Sequence, residues 1–225
     1  MKVHFLDPGS QTALNITKLR QCGYNTRAMI EGGTVRTEKL IIIGNGAPDD
    51  QVLAILAHHV DGNKVAEIVK PIGKTGLSVL DPLKEVYLNY LKSKDILIMI
   101  DQDDTPLNTL YVDASNKIRE RFSIESQARD IERVGVFKCS LAHHNFKIVL
   151  VINGLDEINS DRHTIEDHLI KATIGRLEGR GSSKERWTAL DKEEKRRTFV
   201  RLKEETTINE IFPQQLAGFA YIAEN

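Results

Sequence analysis

Residues 95–104 read Asp-Ile-Leu-Ile-Met-Ile-Asp-Gln-Asp-Asp. Five apolar residues run without interruption from Ile96 to Ile100. The run is too short for an ordinary helix, and it lacks the polar alternation of a half-exposed strand. It reads as a strand buried on both faces, as in a parallel sheet. It ends abruptly in Asp101-Gln102-Asp103-Asp104, so the chain passes in one step from the driest texture in the sequence to one of the most acidic.

Working outward, the same texture recurs. Lys39 to Ile43 is a second β-branched run, broken by Gly44-Asn45-Gly46-Ala47-Pro48. Asp49 or Asp50 can cap a following helix to His59, with Val52, Leu53, Ile55 and Leu56 on its apolar side. Val65 to Val69 predicts another strand, and Pro71 to Gly76 a turn. Leu80, Leu83, Tyr87, Leu88 and Leu91 fall near helical spacing, which predicts a helix over 77–91. A further helix is predicted from Leu110 to Phe122 and a further strand from Lys147 to Ile152. Strands alternating with helices predict an α/β fold: a mostly parallel sheet with helices on both faces.

The flanks are read differently. Residues 1–38 form an N-terminal segment packed on the core, with Val3 to Leu6 as an edge strand. Residues 39–170 make up the α/β domain, and 171–225 a charged helical C-terminal extension. That extension carries Asp191-Lys-Glu-Glu-Lys-Arg-Arg197 and a turn at Gly181 to Ser183. Its Lys184, Arg186, Arg196, Arg197 and Arg201 are interleaved with acids. That pattern describes a solvated helical face, although the same residues could grip phosphate. Trp187 is expected to anchor the last helices on the core.

Bulk properties narrow the function classes. The chain has 225 residues, 40% hydrophobic and 28% charged, with a formal net charge of -1. No global basic field advertises nucleic acid, so such a partner would be held locally or through metal ions. The two cysteines, Cys22 and Cys139, make neither a zinc motif nor a disulfide framework, which suits a reducing compartment. No apolar run approaches a membrane span, and Asp7 interrupts any signal-like start. The expected location is the cytoplasm, with no membrane partner. The oligomeric state is left open.

In parallel sheets, ligands bind in the loops beyond the carboxyl ends of strands. Asp101 is delivered to that edge, and Asp103 can point the same way if the chain stays extended. Two close carboxylates repel unless a cation neutralises them, and hard divalent ions take oxygen ligands. The competing explanation is turn chemistry, since Asp103-Asp104-Thr105-Pro106 are ordinary turn formers.

Ile41-Ile42-Ile43-Gly44-Asn45-Gly46, Gly73-Lys74 and Ile98-Met99-Ile100-Asp101-Gln102-Asp103 stand in the order of the three sequence blocks of the toprim (topoisomerase–primase) family, which this chain resembles. Ile165-Glu166-Asp167-His168-Leu169 is similar to the Glu-containing segment of toprim nucleases of the overcoming-lysogenization-defect type. The resemblance implies a Rossmann-like sheet. It also implies magnesium or manganese held by Asp101 and Asp103, with Asp49 or Glu166 completing the shell. Lys74 would bind phosphate, and the substrate would be nucleic acid, cut by metal-dependent phosphodiester chemistry. The family's turn Glu falls on Asn45. Asn is neutral and cannot serve as a general base. The alternative is a non-catalytic toprim-like module that binds nucleic acid or another phosphorylated ligand.

Other motifs are weaker. Gly73-Lys74-Thr75 ends like a P-loop, but the Gly expected five positions earlier is Ile68, within a strand, which disfavours a nucleotide hydrolase. The adjacent pairs His58-His59 and His143-His144 do not face one way. His163 and His168, five apart, are expected in surface or packing roles.

Overall fold

The computed structural model describes the chain apart from residues 6, 8, 34, 45–47, 61–63, 91–94, 174–180 and 225, and the side chains at 90 and 130. Seven strands form one sheet among the described residues: β1 (Lys2–His4), β2 (Lys39–Ile43), β3 (Val65–Val69), β4 (Ile96–Asp101), β5 (Ser123–Ile131), β6 (Val134–Leu141) and β7 (His144–Asn153). Their spatial order is β1-β3-β2-β4-β7-β6-β5. The first five in that order are mutually parallel, and β6 and β5 complete the sheet antiparallel. β2 and β4 are direct neighbours, with Ile43 opposite Met99.

The buried runs face both ways because helices cover both faces. On one side, Ile41, Ile43, Leu97, Met99, Val149 and Val151 pack with α3 (Asp49–His59), α6 (Ile165–Ala172), α8 (Lys192–Arg201), α9 (Glu205–Ile211) and α10 (Pro213–Ala223). On the other, Leu40, Ile42, Ile98, Ile100, Leu150 and Ile152 pack with α4 (Leu83–Tyr90) and α5 (Leu107–Arg119). Burying each such side chain stabilises the fold by roughly 1.5–3 kcal/mol. The N-terminal segment adds α1 (Gln11–Thr17) and α2 (Thr26–Met29), and α7 (Ser183–Ala189) buries Trp187 against Phe199.

Several predicted boundaries shift. The helix expected over 77–91 is a 3-10 turn at Gly76–Leu80 followed by α4, because Pro82 cannot donate within a continuous helix. The helix expected from Leu110 starts at Leu107, directly after Pro106. The last predicted strand extends from His144 to Asn153, and the β5–β6 hairpin was not expected at all. Edge strand β1 pairs with β3 from Lys2 to His4. No helix among the described residues is long and apolar enough to cross a membrane.

α10 lies on the sheet through a glycine. A Cβ at Gly218 would overlap Val151 Cγ2 and stand 3.1 Å from Leu97 Cδ1. Gly218→Val is therefore expected to destabilise the protein by about 2 kcal/mol or more through overpacking. Urea unfolding checks this, and an unchanged midpoint would mean that α10 is not seated here.

Candidate functional site

The order β3-β2-β4 places a topological switch point between β2 and β4, since the chain leaves β2 to one side and returns on the other. Crevices outside the carboxyl ends of strands at such points are where open α/β sheets bind ligands. Asp101 is the last residue of β4, and the segment ending in Asp49 leaves β2. The loops at this edge converge. A Cβ on Gly44 would stand 2.9 Å from Thr75 Cα and 3.1 Å from Gly76 N, and one on Gly76 would lie 3.8 Å from Asp103 Oδ2. Asn45 lies outside the described residues.

Asp101 is 7% exposed. Its Oδ1 accepts from Asn153 Nδ2 at 3.0 Å and from the Ile165 backbone N–H at 3.1 Å. Asn153 is its register partner on β7. Burial pushes the Asp101 carboxyl up to about 7; the Asn153 amide opposes the shift, and the negative charges of Glu166 and Asp103 add to it. Asp49, at the start of α3, is pushed well above the ordinary carboxylate range by burial and then by Asp101 and Glu166. Glu166, in the first turn of α6, is 5% exposed. Three carboxylates from three elements thus share one field. Among the described residues, no three His, Cys, Asp or Glu side chains stand close enough to hold a metal ion as they are.

Asp103 departs from the extended geometry that would align it with Asp101. Its φ is 54°, in the left-handed region that Asp tolerates better than most residues. Its backbone exchanges two 2.9 Å hydrogen bonds with His163, and its side chain is exposed. Lys74 is engaged by Asp81 at 3.2 Å, and Asp81 also takes Lys117 at 2.6 Å.

Several neighbours take roles that the sequence does not predict. His163 Nδ1 lies 2.8 Å from Asp167 Oδ2, and that oxygen also accepts from the Leu155 N–H at 3.0 Å. The acceptor fixes Nδ1 as the protonated nitrogen and leaves Nε2 as the acceptor in the neutral ring. Asp167 is fully buried, and its Oδ1 has no hydrogen-bond partner among the described residues. Arg133, 3% exposed, donates to Gln102 Oε1 at 2.7 Å and pairs with Asp156. Beside it opens a cavity of about 300 Å³ lined by Arg133, Leu155, Asp156 and Gln214 among others. His168 is buried, which depresses its pKa to about 3. The only sequence signal for the Asp167–His163 pair was its spacing of four, and His163 is not helical.

In the C-terminal helices, Arg196 and Arg197 pair with Glu193 at 2.7 and 3.2 Å, and Arg201 donates to the Ala172 carbonyl. These contacts match a charge-laced helical face. They border a cavity of about 570 Å³ that also contains Glu194 and Glu204.

No protein-family model, no curated protein and no solved structure matches this chain.

Proposed function

We propose that the chain is a toprim-like protein that processes phosphodiester bonds in nucleic acid with the help of magnesium or manganese. The observation that carries this reading is the shared field of Asp49, Asp101 and Glu166 at the switch point of the sheet. Like charges brought together on three separate elements, two of them buried, are costly unless protonated or neutralised. A cluster of carboxylates whose charges raise one another favours a cation, and hard carboxylate oxygens fit magnesium. The lack of a closed protein cage is compatible with this ion, which keeps several waters and uses one or two carboxylates together with substrate phosphates.

When bound, the cation would supply charge neutralisation and polarisation of a phosphoryl oxygen. The chain's own residues divide the remaining work. Asp101, with Asp49 and Glu166, would hold the cation, and Asp103 would offer an outer carboxylate. His163 is oriented by Asp167, which leaves its Nε2 as an acceptor at this edge. Arg133 offers a fixed positive charge to phosphate near Gln102. The second reading, a module that binds without cutting, is favoured by one feature: Asn45 stands where the resemblance expects Glu.

Calorimetric titration with MnCl2 tests the cation. Asp101→Asn is expected to weaken binding at least about tenfold by removing the buried ligand charge, and Asp103→Asn only a few-fold because its carboxylate is exposed. Equal affinity in a protein carrying both changes would locate the cation elsewhere and sink the reading.

A further inference from the structure

The C-terminal helix α10 reaches the Asp101 side of this site through Gln215. Gln215 is fully buried. Its Nε2 donates to Asn153 Oδ1 at 3.0 Å and lies 3.0 Å from His168 Nε2. The sense of the second bond follows from the other side of the imidazole. His168 Nδ1 is 2.6 Å from the Ile211 carbonyl oxygen, which only accepts, so Nδ1 carries the proton and Nε2 accepts. His168 is also stacked on Phe212, with ring centroids 5.0 Å apart, which holds the ring plane. Gln215 therefore uses both amide hydrogens as donors, and its Oε1 has no hydrogen-bond partner among the described residues.

This direction is passed on. With Asn153 Oδ1 occupied by a donor, Asn153 Nδ2 must lie on the opposite side of its amide. That is where it donates to Asp101 Oδ1 at 3.0 Å. An Asn amide has nearly the same shape when turned over, so packing alone cannot choose between the two orientations. The turned-over amide would set oxygen against oxygen at Asp101. The hydrogen bonds from His168 and Gln215 make the choice.

We infer that Gln215 is a positioning residue of the site: it locks the Asn153 amide so that a donor faces Asp101, and α10 thereby belongs to the working site. The inference rests on the reading of Asp101 as a cation ligand. Partners one layer behind a metal ligand, here Asn153, typically govern affinity by 10–100-fold, and Gln215 acts through Asn153.

The test is a MnCl2 titration of the full chain, paired with thermal melts in EDTA. Gln215→Glu presents acceptors to both Asn153 and His168, so the Asn153 amide turns over. Gln215→Met keeps the volume and leaves that amide unheld. The expected result is binding weakened by about 10–100-fold in Gln215→Glu and by about tenfold in Gln215→Met. A purely structural residue would lower the melting temperature and leave the affinity of the folded protein unchanged. If Asp101→Asn weakens binding about tenfold or more while both Gln215 variants bind as the natural protein does, the inference is overturned and the cation reading stands. If the natural protein binds no manganese, or Asp101→Asn binds equally well, both fall. Should the variants fail to fold, the natural protein still decides. Its Asn153 side-chain amide should exchange slowly by NMR, and free rotation of that amide would overturn the proposal.

Discussion

Replacing Asp101 with Asn is expected to stabilise the cation-free protein at pH 8. Asp101 is 7% exposed, and its carboxyl is raised to about 7 chiefly by burial. In the unfolded chain it returns to the ordinary value near 4. Between these two values the native state holds a proton that the unfolded state has released, so stability falls as pH rises through that window. Above about 7 the whole penalty is present, on the order of a few kcal/mol. Asp49 shifts in the same direction and adds to the slope. Asn at position 101 removes the charge and keeps an oxygen able to accept from Asn153 Nδ2 and the Ile165 N–H. In EDTA at pH 8 the variant should therefore melt higher by roughly 5–10 °C, taking about 2–4 °C per kcal/mol for a chain of this size. Near pH 4 the two proteins should melt together. Manganese should close the gap by stabilising only the natural protein. A variant that melts lower than the natural protein at pH 8 would show that the Asp101 charge is compensated within the fold.

How far the sequence foretold this arrangement depends on the range of the interactions involved. The strands β2, β3 and β4 are legible because burial on both faces demands unbroken apolar runs, and each run is local. The β5–β6 hairpin is not. Glu125, Arg129 and Lys138 dilute its apolar residues, and the turn into β7 uses Ala142 and His143 at φ 49° and 68° where a glycine would have marked it. Asp101 was visible as the residue where a buried strand meets water. Glu166 entered through the resemblance, and its placement at the start of α6 follows from ordinary helix signals, with acids in the first turn. Gln215 carried no signal. It sits in an apolar tail 62 residues from Asn153, and its meaning exists only once α10 lies on the sheet. Helical spacing assigns His163 a surface or packing role, but His163 is not helical. It stands before α6, in a backbone bridge to Asp103, and from there its ring reaches Asp167.

Asn45→Glu is expected to have the largest effect on activity. The resemblance places a carboxylate at position 45, beyond the end of β2, where it would serve as base or metal ligand. Asn supplies only a carbonyl oxygen and an amide. The natural protein should therefore cut nucleic acid slowly or not at all, and the Glu variant should cut faster by about 10²–10⁴-fold, the usual worth of a general base. Manganese binding should tighten in the same variant. Position 45 lies outside the described residues, but Gly44 beside it packs against the Thr75–Gly76 loop, and that loop approaches Asp103. If position 45 faces the site as the resemblance implies, a carboxylate added there joins a field that already raises Asp49 and Asp101. Without metal, the variant should accordingly lose stability at pH 8 and less at pH 5, where the Asp101 carboxyl is protonated. Manganese should restore the loss, because an ion that binds only the folded state stabilises it by mass action. The measurement is cleavage of single- and double-stranded DNA and RNA, with and without manganese, alongside melts of both proteins. Slow natural cutting, accelerated by Glu, supports the enzyme reading with an impaired base. Tight manganese and nucleic-acid binding with no cutting by either protein supports the binding module. Robust cutting by the natural protein that Glu leaves unchanged would mean that position 45 is not the missing base, and that His163 or another group already performs the proton transfer.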